Sequence, residues 1–459
     1  MYSNHLIESD RNHLIHPVTA FRPHERRGAT VLASGKGMYL RDIEGNELLD
    51  AFAGLWCVNV GYGHESIVEA AAAQMRRLPY ATGYFHFANE PAIRLAERLV
   101  ELSPPGLDRV FFTLGGSDAV DSAVRFIVNY YNATGRPAKK HFIALDKGYH
   151  GSSTTGSGLT GLPAFHRDFD VPLPWQHHIP AAYPYRSPVG SDPQAVIDRS
   201  VADLRAKVAE LGAENVAAFF AEPVQGSAGV IVPPPGWLKA MRDTCTELDI
   251  LFVADEVITG FGRTGPMFAC ETEGVSPDLM TMAKGLTSGY APMGAVLMSD
   301  KVYSGIADGP RPELPIGHGF TYSGHPVSAA VGLEVLRLYT EGGILANAQE
   351  RAPRFREGLL DLQDHPLVGN VRGVGLLGGI ELVSDKAEKT RFDPALRLPE
   401  RLTNAAYRNG IIFRAFGDGT IGLAPAISCG ADDMDRLFAR LRKTLNDVLD
   451  EPEVRREVG

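Results

Sequence analysis

Cysteine is scarce in this chain, with four residues at Cys57, Cys245, Cys270 and Cys429 and no CxxC pair. That spacing suggests neither a zinc site nor a disulfide framework, and reduced thiols in a cytoplasmic protein are the expectation. No run of about 18 apolar residues occurs, so no membrane-spanning helix is expected. The N-terminal MYSNHLIESDRNHLIHPV, broken by Glu8, Asp10 and Arg11, contains no apolar core of signal-peptide length. Basic residues are in the minority, 45 Lys and Arg against 55 Asp and Glu, for a formal charge of −10. A nucleic-acid-binding surface is not the default for such a balance. Internal repeats are absent as well.

What the chain has in excess is glycine, 49 of 459 residues, gathered in short clusters. A chain of this length buries roughly three-quarters of its unfolded surface, enough for a large core and two or three domains. The middle alternates. Apolar runs at 110–113, 142–145, 216–221, 250–254 and 278–282 read as buried strands. Between them lie helical patterns: Val120, Val124, Ile127, Val128 and Tyr131 share one face, with Gly135 at the far end. In another helix Asn89 caps, Pro91 opens the first turn, and Ile93, Ala96, Leu99 and Val100 face inward. Such units imply an α/β fold with a mostly parallel central sheet covered on both faces.

The two ends differ. Residues 38–51 alternate around Glu44-Gly45-Asn46, a second hairpin is expected around Gly417-Asp418-Gly419, and residues 434–448 form an amphipathic closing helix. The expected division is a large α/β domain over 60–325 and a smaller α+β domain from 1–59 plus 326–459, with an N-terminal arm. Residues 166–193, rich in Pro, His and aromatics, show no period. His177 and His178 lack a partner at metal-ligand spacing, so no metal is expected. Gly373-Val-Gly375-Leu-Leu-Gly378 matches GxGxxG, but a strand-like Gly379-Ile-Glu-Leu-Val follows where the dinucleotide fold needs a helix. A glycine-rich turn between strands explains it better.

Three segments carry chemistry. In Phe111-Phe-Thr-Leu-Gly-Gly-Ser-Asp-Ala-Val-Asp121 a strand ends, Gly115 and Gly116 turn the chain, and Ser117 opens a helix. Free N–H groups at such a turn, at the positive end of the helix dipole, favour an anion. In Leu251-Phe-Val-Ala-Asp-Glu-Val-Ile-Thr-Gly-Phe-Gly-Arg-Thr-Gly265, Asp255 stands at the carboxyl end of an apolar strand and needs a cationic partner. Lys284 follows another strand among apolar residues, where a desolvated amine suits imine formation. A phosphate cradle, an imine-forming lysine and a carboxylate for a pyridine nitrogen together fit pyridoxal phosphate. Tyr149, in Gly148-Tyr-His-Gly151, offers an aromatic plate for the ring.

With these motifs in this order the sequence resembles the class III (omega-) aminotransferases of pyridoxal-phosphate fold type I. DEVITGFGRTG, the AKGL lysine, GFTYSGHP and GYHG carry the resemblance from about Gly35 to the closing helix. AGLWCVNVGYGHE and the arginine of IIFRAFGDG are similar to the amine:pyruvate and β-alanine:pyruvate branch. The resemblance implies that Lys284 binds the cofactor and shuttles the proton, and that Asp255 bonds the pyridine nitrogen. Val257 would pack opposite Tyr149, and Gly116 and Ser117 would hold the phosphate. Glu222 would be a second carboxylate beside the cofactor. Thr321 would reach the phosphate of a partner subunit, making the active unit a homodimer or a tetramer with shared sites. Trp56, Arg414 and Tyr149, with Phe85 and Phe21, would shape the substrate pocket, and Arg414 would bind the acceptor's carboxylate in a bidentate fork. Leu114, Gly115 and Asp118 depart from the family's NSGSEAN-like phosphate segment. The expected activity is transfer of an amino group from an amine or ω-amino acid to pyruvate, by a ping-pong route. Rivals are an aminomutase, another pyridoxal-phosphate lyase or racemase, and a non-enzymatic binding protein.

Overall fold

The computed structural model describes residues 2–458. An N-terminal arm of two helices, Tyr2–His13 and Phe21–Arg27, precedes the strands β1 (Leu32–Lys36), β2 (Tyr39–Asp42) and β3 (Glu47–Asp50). The central strands are β4 (Leu107–Thr113), β5 (His141–Leu145), β6 (Gln176–Ile179), β7 (Val216–Ala221), β8 (Leu251–Asp255), β9 (Leu279–Met282) and β10 (Gly294–Ser299). The C-terminal part adds β11 (Val368–Val374), β12 (Leu377–Leu382), β13 (Ile411–Ile412), β14 (Arg414–Ala415) and β15 (Ile421–Leu423).

The central seven strands form one sheet in the order β4-β10-β9-β8-β7-β5-β6. Only β10 runs against its neighbours; β9, β8, β7, β5 and β6 pair in parallel. Strands β7, β8 and β9 are buried along their whole length, which is why they read as unbroken apolar runs. Apolar clusters flank both faces: the helix Gly116–Ala133 covers one, and the helices Pro193–Leu211 and Trp237–Glu247 the other.

The two chain ends share a sheet, because β13 pairs in parallel with β3 after β1, β2 and β3 have formed an antiparallel meander. A third sheet, β11-β12-β15-β14, contains both expected turns: Gly375 in the glycine-rich one, with φ +56, and Gly417–Gly419 in the other. The closing helix runs Ala431–Leu449 and buries Met434, Leu437, Leu441, Leu445 and Val448. One apolar cluster extends from Met38 and Leu49 through Leu286 to this helix.

Two expectations change. Asn89 does cap its helix, accepting from the Ala92 N–H at 3.0 Å, but Ile93 is 59% exposed while Pro91, Leu95 and Leu99 are buried. The inward face follows an i, i+4 row beginning at the proline, not the row through Ile93. The stretch from 166 to 193 contains a strand, β6, at the edge of the sheet. There His177 meets His141 across strands at 2.7 Å and His178 meets the Leu159 carbonyl at 3.0 Å. Alternation is weak in a four-residue edge strand, so the periodicity signal fails there.

Candidate active site

Five functional segments leave the carboxyl edge of the central sheet. β4 runs into Gly115, Gly116 and Ser117; β5 into Gly148–Gly151; β7 into Glu222; β8 ends on Asp255; β9 leads to Lys284. Open α/β sheets bind ligands at this edge because the backbone N–H groups and loop side chains converge there.

The helix after β4 has Gly115 at its N-cap and no side-chain cap, so its first N–H groups are free for an anion. The Ser117 hydroxyl accepts the Ser152 N–H at 3.1 Å, which leaves its own proton to donate. Gly151 lies against this hydroxyl with φ +118, and a β-carbon there would sit 2.7 Å from Ser117 Oγ. Glycine is required on both counts. A β-carbon on Gly116 would meet Val257 at 3.1 Å, so the phosphate turn and the residue expected on the ring face are packed together. Burial pushes Asp118, in the same first turn, above the usual carboxylate range.

Deeper in the cleft, Asp255 is buried and its Oδ2 pairs with His150 Nδ1 at 2.8 Å, while Oδ1 accepts the Val257 N–H at 3.1 Å. Burial alone would lower the His150 pKa; the bond to Asp255 and the charges of Asp255 and Glu222 outweigh it and raise it. The imidazole behind the carboxylate holds it in place through this hydrogen bond. Sequence reasoning gives His150 no role; its position one residue after the aromatic plate, at a strand end, was the available signal.

Glu222 is buried too, accepts the N–H groups of Tyr149 at 2.8 Å and Gly226 at 3.0 Å, and is pushed up to about 7 by burial. It therefore fixes the backbone that presents Tyr149, whose ring is half-buried and meets Phe165 edge-on at 5.3 Å.

Burial lowers the Lys284 pKa against the opposing pull of Asp255 and Glu222, which favours the neutral, nucleophilic amine. Its backbone is left-handed, with φ +41, as are Ala53, Trp56, Phe85 and His86. Non-glycine residues in that region cost of order 1–3 kcal/mol and cluster at functional sites.

The rim is aromatic. Trp56 is buried, meets Phe52 edge-on at 4.7 Å and stacks on Phe416 at 6.5 Å. The Arg414 guanidinium lies over the Phe416 ring at 5.4 Å, and burial alone perturbs it. Among the described residues it has no carboxylate partner. Phe85 and Phe21 are 82% and 64% exposed. Thr321 is likewise exposed, with its carbonyl held by the Tyr80 hydroxyl at 3.0 Å.

The family profile described as aminotransferase class-III matches residues 21–445. The chain is a class III aminotransferase. It is 43% identical over 438 residues to a putrescine–pyruvate aminotransferase of Pseudomonas aeruginosa, covering 95% of this chain and 94% of that one. A diaminobutyrate–2-oxoglutarate transaminase of Halomonas elongata is 38% identical over 97% of this chain and 96% of its own. Among solved structures, the omega transaminase from Pseudomonas jessenii in complex with PMP superposes with a TM-score of 0.94 at 38% identity, over 97% of this chain and 98% of that one. A thermostable (S)-enantioselective omega-transaminase from Thermomicrobium roseum gives 0.95 at 39%, over 98% and 99%.

The aminotransferase thus has the pyridoxal-phosphate fold type I and depends on pyridoxal phosphate. The residues fit that group: an uncapped helix start with a free hydroxyl proton, a buried acid backed by a histidine, and a desolvated lysine. Bound, the cofactor supplies an electron sink and carries the amino group between two substrates.

Proposed function

We propose that this aminotransferase transfers an amino group from an amine or ω-amino acid to pyruvate, in two half-reactions, as a homodimer with shared sites. Ser117 and the helix start hold the phosphate, and Asp255 holds the ring nitrogen protonated with His150 behind it. Val257 and Tyr149 would hold the ring. The Lys284 amine, whose pKa burial lowers, would make the covalent link and would take and return the substrate's Cα proton.

Arg414 carries the reading of the acceptor. A guanidinium over an aromatic ring, with no acid beside it among the described residues, is suited to an incoming carboxylate. Trp56 and Phe416 suit the apolar part of an amine donor, for which Arg414 must move aside. The similarity to a putrescine–pyruvate aminotransferase supports pyruvate. For the homodimer, the support is a single exposed surface: the segment with Tyr84, Phe85 and Phe87 lies against the segment of Thr321 and Tyr322. On this reading Thr321 and Phe85 complete the site of the second copy.

The experiment is a donor panel of β-alanine, 4-aminobutyrate, taurine, diamines and arylalkylamines, scored by alanine formed from pyruvate. Alanine formation that requires both substrates is expected. Conversion of an amine without any keto acid would instead support the aminomutase or lyase reading, and activity confined to 2-oxoglutarate would overturn pyruvate. Light scattering should give about twice the 49.6 kDa of one chain, or a multiple of that.

A further inference from the structure

We propose that Arg391 is a positioning residue for Arg414: through Asp418 it latches the β14–β15 hairpin and so sets the affinity for a carboxylate-bearing acceptor. This rests on the reading of Arg414 given above.

The hairpin is short. Arg414 and Ala415 pair with Gly422 and Ile421, and Phe416–Thr420 make the turn, closed by the Phe416 N–H to the Thr420 carbonyl at 2.8 Å. Asp418, at its tip, has two separate bonds. Its Oδ1 accepts the Thr420 N–H at 3.1 Å within the turn, and its Oδ2 pairs with Arg391 Nη2 at 3.1 Å outside it. One end of the hairpin carries the specificity arginine, which lies over the Phe416 ring; at the other, Asp418 forms the ion pair with Arg391.

Arg391 stands on a fixed platform. Its neighbour Lys389 donates to the Tyr185 carbonyl at 2.9 Å, and the Lys389 carbonyl accepts from Arg186 Nη2 at 2.9 Å. Arg186, Arg372 and the Tyr183 hydroxyl converge on the buried Glu381, whose Oε1 lies 3.8 Å from Arg391 Nη2. Arg391 therefore has two acids in reach. When the hairpin tip moves, its charge is still met by Glu381, so release costs little. The Thr420 methyl packs against Gly229, whose carbonyl Arg372 holds at 2.6 Å, so the same cluster also braces the turn from the side. A latch of this kind is weak by construction. Arg391 is 37% and Asp418 24% exposed at the side chain, the regime where an ion pair contributes modestly. A weak latch suits an arginine that must hold a carboxylate in one half-reaction and yield to an apolar group in the other.

The test uses the cofactor-loaded enzyme. Asp418→Asn keeps the acceptor for Thr420 and removes only the charge; Arg391→Ala removes the partner, and Arg391→Lys should restore part of the effect. In Asp418→Asn and Arg391→Ala the pyruvate KM should rise about three- to fivefold, while kcat and the KM of an apolar amine stay within about twofold. The double variant should be no worse than either single one. Hydrogen exchange at residues 416–422 should speed up by a similar factor. Unchanged exchange in both variants overturns the latch, and an amine KM that rises in parallel with that for pyruvate overturns its role in acceptor affinity. If the wild type forms no alanine from pyruvate, the functional reading fails by itself, and the exchange comparison still decides the latch.

Discussion

The floor and the rim of the cleft are built on different principles. On the floor, Asp255, His150 and Glu222 are buried and each is held by a hydrogen bond or a charge from another strand end. At the rim, Arg414 has an aromatic ring beneath it and no acid, and Phe85 and Thr321 point to solvent. Buried charges must be paired and so become rigid; a half-exposed cation can wait for a ligand. On the proposed roles, the floor would perform the step common to every substrate and the rim would choose among substrates.

The contrast breaks most severely at Lys284. Lys284→Ala should abolish turnover and the visible absorbance of protein-bound cofactor, with thermal unfolding little changed; an active variant would end the assignment. Next comes Asp255→Ala. It leaves the buried His150 imidazole without its hydrogen-bond partner and should cost roughly 1–3 kcal/mol of stability in denaturant titration, besides the loss of activity. A rim variant, Arg414→Ala, should leave stability alone and raise the KM for pyruvate about 10- to 100-fold, the scale of a lost charge-assisted hydrogen bond, with the amine KM held.

The gentlest probe is Glu222→Gln. Burial lifts this carboxyl from 4.5 to about 7, so between those values the folded state keeps a proton that the unfolded chain has released. Stability must then fall as pH rises through that window. Removing the titration should flatten the decline by roughly 1–2 kcal/mol between pH 5 and pH 7, whatever the substitution costs at a single pH. An equal slope in both proteins would show that Glu222 does not titrate there.

Much of the floor was legible because each piece is local. A polar residue at or just past the end of an apolar run marks a strand end wherever it falls; Asp255 and Lys284 stand so directly, and Ser117 and Tyr149 do so after a glycine. What was not legible joins distant residues. His150 and Asp255 are 105 positions apart, and Arg391 and Asp418 meet only because the segment that follows β12 passes beside the hairpin. Ile93 illustrates a third limit: both helical faces held apolar residues, so the pattern found Leu99, which is buried, but also favoured the exposed Ile93 and passed over the buried Leu95.

Hydrophobic period, glycine placement and the order of motifs are properties of the chain, and they determined the α/β architecture, the cofactor and the lysine proposed to bind it. Pairing of charges is a property of space. Only the tertiary structure decided that a histidine backs Asp255 and that the acid at 222 holds the backbone of Tyr149. It also decided that Arg414 lies over an aromatic ring with no carboxylate partner among the described residues.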